Sequence, residues 1–173
     1  FAWTGGLMAE AGVTELGPGA VAAISGAATK TLRNGRVLLN RTTLTLSTGQ
    51  LNLDNPNTAG ALLDNAGTLN VPDGANIAWS NFSFGRPVSF VNRGTFNKGG
   101  AGTQTDITVP FTNSGVINLD EGILRVTEGF AHSGTVVLAA DTVLRLNGGT
   151  YNFSSESQVV GEGLLRLESG SLQ

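Results

Sequence analysis

One short phrase recurs along the chain, and it constrains the fold more than any other feature. It reads Phe90-Val91-Asn92-Arg93-Gly94-Thr95-Phe96-Asn97, then Phe111-Thr112-Asn113-Ser114-Gly115-Val116-Ile117-Asn118, then Phe130-Ala131-His132-Ser133-Gly134-Thr135-Val136-Val137. An earlier copy, Leu63-Asp64-Asn65-Ala66-Gly67-Thr68-Leu69-Asn70, carries Leu in place of Phe. Measured at the Asn or His position, the copies lie 27 (65 to 92), 21 (92 to 113) and 19 (113 to 132) residues apart. A slightly variable period of this size is the mark of stacked repeats, each too small to bury its own apolar side chains.

Short alternating runs fill the spaces between the copies. Thr43-Leu44-Thr45-Leu46-Ser47, Gln50-Leu51-Asn52-Leu53, Ile123-Leu124-Arg125-Val126 and Val143-Leu144-Arg145-Leu146 are period-two patterns bounded by turn residues, and they read as strands. Helix is ruled out: only Leu7 to Glu10 and Gly19 to Lys30 have enough Ala to raise the question, and the second is broken by Gly26 and by β-branched residues. After the marker Gly, a strand ends in an apolar residue: Leu16 after Gly12, Val71 after Gly67, Leu119 after Gly115, Leu138 after Gly134. A turn follows at Gly19, Gly74, Gly122 or Asp141, and a second strand runs to Ile24, Trp79, Val126 or Leu146. A third short strand leads into the next copy of the phrase.

The expected fold is therefore all-β: a right-handed, single-stranded parallel β-helix with three strands per coil and about 7–8 coils at one strand spacing each. It is expected to form a single domain over residues 1–173. Asn65, Asn92, Asn113 and His132 are expected in one structural corner column, with Leu63, Phe90, Phe111 and Phe130 stacked beside it. Asn suits a corner because it tolerates the left-handed conformation and bonds its own backbone. The Gly two residues later is expected to supply positive φ. A weaker marker falls at Asn40. Asp73 to Pro87 and Gly148 to Val159 are expected to protrude as loops, and Lys98 to Thr105 reads as a Gly- and Thr-rich insertion.

Composition removes several function classes. The net charge of −3 leaves no basic footprint for nucleic acid. No apolar run approaches the roughly 18 residues that span a bilayer as a helix. The absence of Cys excludes disulfides, thiolate metal sites and Cys nucleophiles. No HxH, HExxH or Asp-rich calcium pattern appears, so no metal and no cofactor is expected. Gly99-Gly100-Ala101-Gly102 lacks the Lys-Ser/Thr of a phosphate loop. His132, the only histidine, reads as a replacement for Asn in the corner column rather than as a general base.

Three patterns point toward activity. Asp120, Glu121, Glu128 and Asp141 are the acids from which a polysaccharide-cleaving pair would be drawn, with Glu121 and Asp141 at equivalent turns. Trp79, Phe82, Phe84 and Tyr151 are candidates for a sugar or partner contact, or for a cover over the core. Thr43-x-Thr45 and Thr103-x-Thr105 resemble the Thr pairs of ice-binding solenoid faces, but T-x-T does not recur at the repeat period. No catalytic residue is assigned.

The phrases Trp3-Thr4-Gly5-Gly6, Phe90 to Lys98, Val109-Pro110-Phe111-Thr112-Asn113-Ser114-Gly115 and Leu144-Arg145-Leu146-Asn147-Gly148-Gly149-Thr150 together resemble the repeat regions of large secreted bacterial β-solenoid proteins, of the filamentous-haemagglutinin-like and autotransporter-like adhesin type. Lys30 to Asn57 departs from that plain repeat. The resemblance implies a secreted or cell-surface structural module: a fibre, stalk or adhesin shaft. Its expected partners are copies of itself stacked end to end or neighbouring repeats of the same protein, with cell-surface glycans as a further class. The start at Phe1 rather than Met agrees with a fragment or repeat unit of a longer chain. The alternative is a carbohydrate-binding or polysaccharide-cleaving parallel β-helix.

Overall fold

A computed structural model describes residues 1–55, 59–79 and 88–173. Among them every regular element is a β-strand, there is no helix, and every strand pairing is parallel. The chain is an all-β, parallel β-solenoid of about seven turns.

An eight-stranded sheet stacks Ala2–Trp3, Val21–Ile24, Thr43–Leu46, Thr68–Val71, Thr95–Lys98, Val116–Leu119, Thr135–Leu138 and Gln158–Gly161. A fourteen-stranded sheet has two arms. One arm runs from Gly6–Met8 through Lys30–Arg33, Gln50–Asp54, Asn76–Trp79, Gln104–Ile107 and Ile123–Val126. The other runs from Gly12–Leu16 through Arg36–Asn40, Leu62–Asn65, Ser89–Asn92, Phe111–Asn113 and Phe130–His132. The long strand Val143–Phe153 pairs with both arms and joins them, and Leu164–Leu172 pairs with it in turn.

Alternation explains the core. Leu44, Leu69, Phe96, Ile117 and Val136 lie in register and point inward, as do Leu124 and Leu144 on the facing sheet. Each such side chain is removed from water at a gain of about 1.5–3 kcal/mol. No single turn can hold these residues away from water; stacking does.

The phenylalanine column is the densest part. Phe90 and Phe111 stack with centroids 4.6 Å apart, and Phe111 and Phe130 at 4.9 Å. Phe96 meets Phe90 and Phe111 edge-on from the opposite sheet. Leu38 and Leu63 precede these rings in register, and Tyr151 follows Phe130.

Several expectations are corrected. The N-terminal frame is offset by one strand: Gly12–Leu16 pairs with Arg36–Asn40, placing Leu16 level with Asn40 rather than with Val71. Val21–Ile24 belongs to the eight-stranded sheet, whereas Asn76–Trp79 does not. The run Gly-Val-Thr-Glu-Leu imitates the strand that follows a marker Gly, and alternation alone does not tell one face of the solenoid from another. Residues 73–79 do not protrude, since Ala75 and Ile77 are buried and Asn76–Trp79 is a strand; residues 80–87 lie outside the described residues. Gly148 to Val159 is not a loop either. Val143–Phe153 covers its first half, turning at Gly148 (φ 106°) and Gly149 (φ 82°), and only a short turn over residues 154–157 separates it from Gln158–Gly161.

The marker glycines also have a different physical reason from the one expected. Gly67, Gly94, Gly115 and Gly134 are not among the positive-φ residues, and neither are Asn65, Asn92 and Asn113. What excludes a side chain is the turn below. A Cβ on Gly94 would lie 2.0 Å from the Gly67 carbonyl oxygen, and one on Gly115 would lie 2.1 Å from that of Gly94. Positive φ occurs instead where the eight-stranded sheet gives way to the next strand, at Gly74 (73°), Gly122 (74°) and Asp141 (62°).

Candidate functional site

Five buried polar side chains of the solenoid form one continuous line. Asn40 Nδ2 donates to Asn65 Oδ1 at 2.6 Å, Asn65 Nδ2 to Asn92 Oδ1 at 2.6 Å, and Asn92 Nδ2 to Asn113 Oδ1 at 2.7 Å. Asn113 Nδ2 then meets His132 Nδ1 at 3.1 Å, and His132 Nε2 meets the Gln158 carbonyl at 3.2 Å. All five side chains are buried. The strands that carry them are in register, so Asn65, Asn92, Asn113 and His132 share one column, with Asn40 at its head.

The direction of this line is fixed at both sides. A carbonyl only accepts, so the His132 proton sits on Nε2 and Nδ1 is an acceptor. Asn113 must therefore present Nδ2, its Oδ1 must face Asn92, and the same logic runs back to Asn40. The backbone demands the same orientation independently. Asn40, Asn65 and Asn92 each give their second Nδ2 hydrogen to a main-chain carbonyl, of Thr68, Thr95 and Val116 at 3.0, 2.9 and 3.0 Å. Local bonds across the marker Gly also occur, from Asn92 to the Gly94 carbonyl at 3.4 Å and from Asn113 to that of Gly115 at 3.2 Å.

Burial holds the His132 pKa below its ordinary value, and the bond to the Gln158 carbonyl opposes this only in part. The ring stacks on Phe130 and meets Phe153 edge-on, and its hydrogen-bond partners among the described residues, Asn113 and the Gln158 carbonyl, carry no charge. A proton on Nδ1 would point at the Asn113 amide hydrogens, two donors facing each other. Below about pH 6.5 the unfolded chain takes up a proton that the folded chain resists. Stability from this group is thus complete above pH 6.5 and declines as pH falls toward the folded pKa, by at most about 1.4 kcal/mol per pH unit. The variant His132→Asn, which continues the amide line, is expected to lack that decline. Urea midpoints at pH 7 and pH 5 for the two proteins measure the difference.

Two lysines are buried that sequence patterning left unmarked. Lys30 Nζ donates to the carbonyls of Ser25, Gly26 and Thr48 at 3.1, 2.6 and 3.2 Å. Lys98 Nζ donates to the Gly99 carbonyl, to Thr103 Oγ1 at 2.9 Å and to the Glu121 carbonyl at 3.2 Å. Desolvation lowers both pKa values, and for Lys98 the charge of Glu121 acts the other way. The signal for Lys98 was its register: it occupies the level of Leu119, where an inward apolar side chain is the rule.

The candidate contact residues do not gather. Tyr151 is a correction: it is fully buried, follows Phe130 in the aromatic column and donates its hydroxyl to the Val126 carbonyl at 3.1 Å. An aromatic in a turn of apparent loop composition was read as surface, but the strand continues and the ring fills the core. Trp79 is half-buried against the core at a strand end. Phe82 and Phe84 lie outside the described residues.

The acids divide. Asp120, Glu121 and Asp141 line one open depression of about 330 Å³, with Gly102, Gly122 and Ala140 among its walls. Glu121 there accepts the Gly100 N–H at 3.0 Å. Glu128 lies at another corner, and Arg145 pairs with Glu168 at 3.6 Å. Among the described residues no group of three His, Cys, Asp or Glu side chains is placed to hold a metal ion. Comparison with protein-family models, with curated proteins and with solved structures finds no match.

Proposed function

We propose that this chain is a structural segment of an extracellular bacterial fibre, stalk or adhesin shaft, a right-handed solenoid with three strands to the turn. The observation that carries this reading is the unbroken inner line from Asn40 to His132 beside the stacked Phe90, Phe111 and Phe130. Each level repeats the contacts of the one below, so length is gained by adding turns and each added turn stabilises its neighbour. Such a rod resists unfolding because no level can open without breaking ladders on both sides.

End-to-end association is part of the proposal. Among the described residues Leu164–Leu172 pairs with Val143–Phe153 alone, leaving its outer edge open, and Leu164, Leu167 and Leu172 are each about half exposed there. An edge of this kind templates pairing with another strand. Electron microscopy of the purified chain tests it. Filaments with an axial repeat of about 38 Å, the steps of about 4.8 Å between a chain's eight stacked strands plus one across the junction, are the expected result; discrete particles one chain long would exclude self-assembly. Resistance to protease at native temperature is the separate check on the shaft reading, and rapid internal cleavage within the strands would sink it.

The second reading, a carbohydrate-binding or polysaccharide-cleaving solenoid, draws on the depression bordered by Asp120, Glu121 and Asp141. Its cleaving form requires that Glu121→Gln or Asp141→Asn abolish release of reducing ends from a polysaccharide substrate.

A further inference from the structure

Charge is segregated on this solenoid. The ion pairs Arg33–Asp54, Arg125–Asp106, Arg93–Asp64, Arg41–Glu15 and Arg145–Glu168 all involve strands or turns of the fourteen-stranded sheet. The outward positions of the eight-stranded sheet carry no charged side chain at all.

Register turns those positions into ordered rows. Thr43, Thr68 and Thr95 are stacked on consecutive turns, Val116 continues the row, and Thr135 follows it. The T-x-T pattern does not recur, but a Thr column does, and it was hidden by the unequal repeat lengths. Two residues further along each strand stand Asn70, Asn97 and Asn118. These amides are locked to one another: Asn97 Nδ2 donates to Asn70 Oδ1 and Asn118 Nδ2 to Asn97 Oδ1, both at 2.8 Å.

The rows are about 4.8 Å apart along the solenoid and about 6.7 Å apart along the strand. Both spacings are close to oxygen repeats within the lattice planes of ice. The chemistry suits that partner. Threonine is stiff at χ1 and offers a hydroxyl and a methyl together. The interlocked amides hold one another's rotamers, Asn97 by donating to Asn70 and accepting from Asn118. Little side-chain entropy is lost when water orders on such a face. Charged groups, which hold water in shells that no lattice matches, are absent from its outward strand positions: Lys98 points inward and Asp120 stands at the border, beyond the strand end.

Size argues against a protein partner. Seven strands of four residues and one of two cover at most about 34 by 13 Å, or roughly 440 Å², about half of the ~800 Å² per partner that a stable protein interface uses. The outward positions carry no aromatic ring, and Thr45, Asn70 and Asn97 border only an open depression with Pro72, Gly99 and Asp120, unlike a small-molecule site.

We infer that the outer face of the eight-stranded sheet, centred on the rows Thr43–Thr68–Thr95 and Asn70–Asn97–Asn118, is an ice-binding surface. The test uses the intact chain in ice-recrystallisation and crystal-shaping assays, with two charge variants of equal size. Thr95→Lys lies in the centre of the face; Thr112→Lys lies on an exposed position of the other sheet. The chain and Thr112→Lys are expected to restrain recrystallisation and facet growing crystals at micromolar concentration. Thr95→Lys should need several-fold more protein, with unchanged circular dichroism and melting temperature. No effect of the unaltered chain beyond that of an inert protein of equal concentration would overturn the inference. So would equal activity of a folded Thr95→Lys. Dimerisation lost in Thr95→Lys, or retention of the chain on insoluble neutral polysaccharide, in either case without ice activity, would likewise overturn it and assign the face to those partners.

Discussion

Gly94→Ala is expected to lower unfolding stability by about 3 kcal/mol, at the upper end of what overpacking does in a rigid interior. The added Cβ would lie 2.0 Å from the Gly67 carbonyl oxygen, and that oxygen is already fixed because it accepts the Thr95 N–H at 2.8 Å. Relief requires the two turns to part, which lengthens the bond and disturbs the amide line two residues away. Gly102→Ala is the control. Gly102 is in the left-handed region at φ 69°, but an added Cβ there meets nothing within 4 Å. Its cost should be the conformational one alone, about 1 kcal/mol. Urea denaturation of the two variants separates the effects; equal losses would mean that the turns part at little cost and that contact between them does not keep Gly at the marker.

That contrast also shows what the sequence could disclose. The repeated Phe-x-Asn-x-Gly phrase reported the stacking, the aromatic column and the Asn column because each comes from residues at a fixed offset within one unit. It could not report why Gly recurs. Positive φ and close approach both select glycine, and they differ only in what lies across the turn, tens of residues away in the chain. The same limit hid Lys98 in the interior: its identity says surface, and only alignment with Leu119 says core. Tyr151 was misplaced for the converse reason. Gly148 and Gly149 look like loop punctuation, yet here they turn a strand whose next residues rejoin the aromatic column. The N-terminal frame slipped because Gly12–Leu16 has the alternation of any solenoid strand, and period two carries no label for the face it occupies.

The interior amide line has the second large predicted effect. Asn92 accepts from Asn65 and gives both Nδ2 hydrogens away, to Asn113 Oδ1 and to the Val116 carbonyl. Asn92→Ala removes the middle of the line, leaving buried groups on two turns unmatched, each costing about 1–3 kcal/mol. Asn92→Asp keeps the shape but faces a carboxylate oxygen with two acceptors in a fully buried position. An unpaired buried charge costs about 3–5 kcal/mol, so at pH 7 Asn92→Asp should be the less stable variant. The order is expected to change with acid. Burial raises the folded pKa of the introduced carboxyl above its unfolded value of about 3.9, so between the two the folded state holds the proton and stability falls as pH rises. Toward pH 4 the protonated acid donates one of the two lost bonds, and its deficit relative to the unaltered chain should shrink below that of Asn92→Ala. Urea midpoints of all three proteins at pH 7 and pH 4 decide it. If Asn92→Asp instead follows Asn92→Ala at both values, the line is only a set of space-filling amides. If the order inverts, the polarity that ends at His132 is a property of the whole column, and each turn inherits its amide orientation from the turn before.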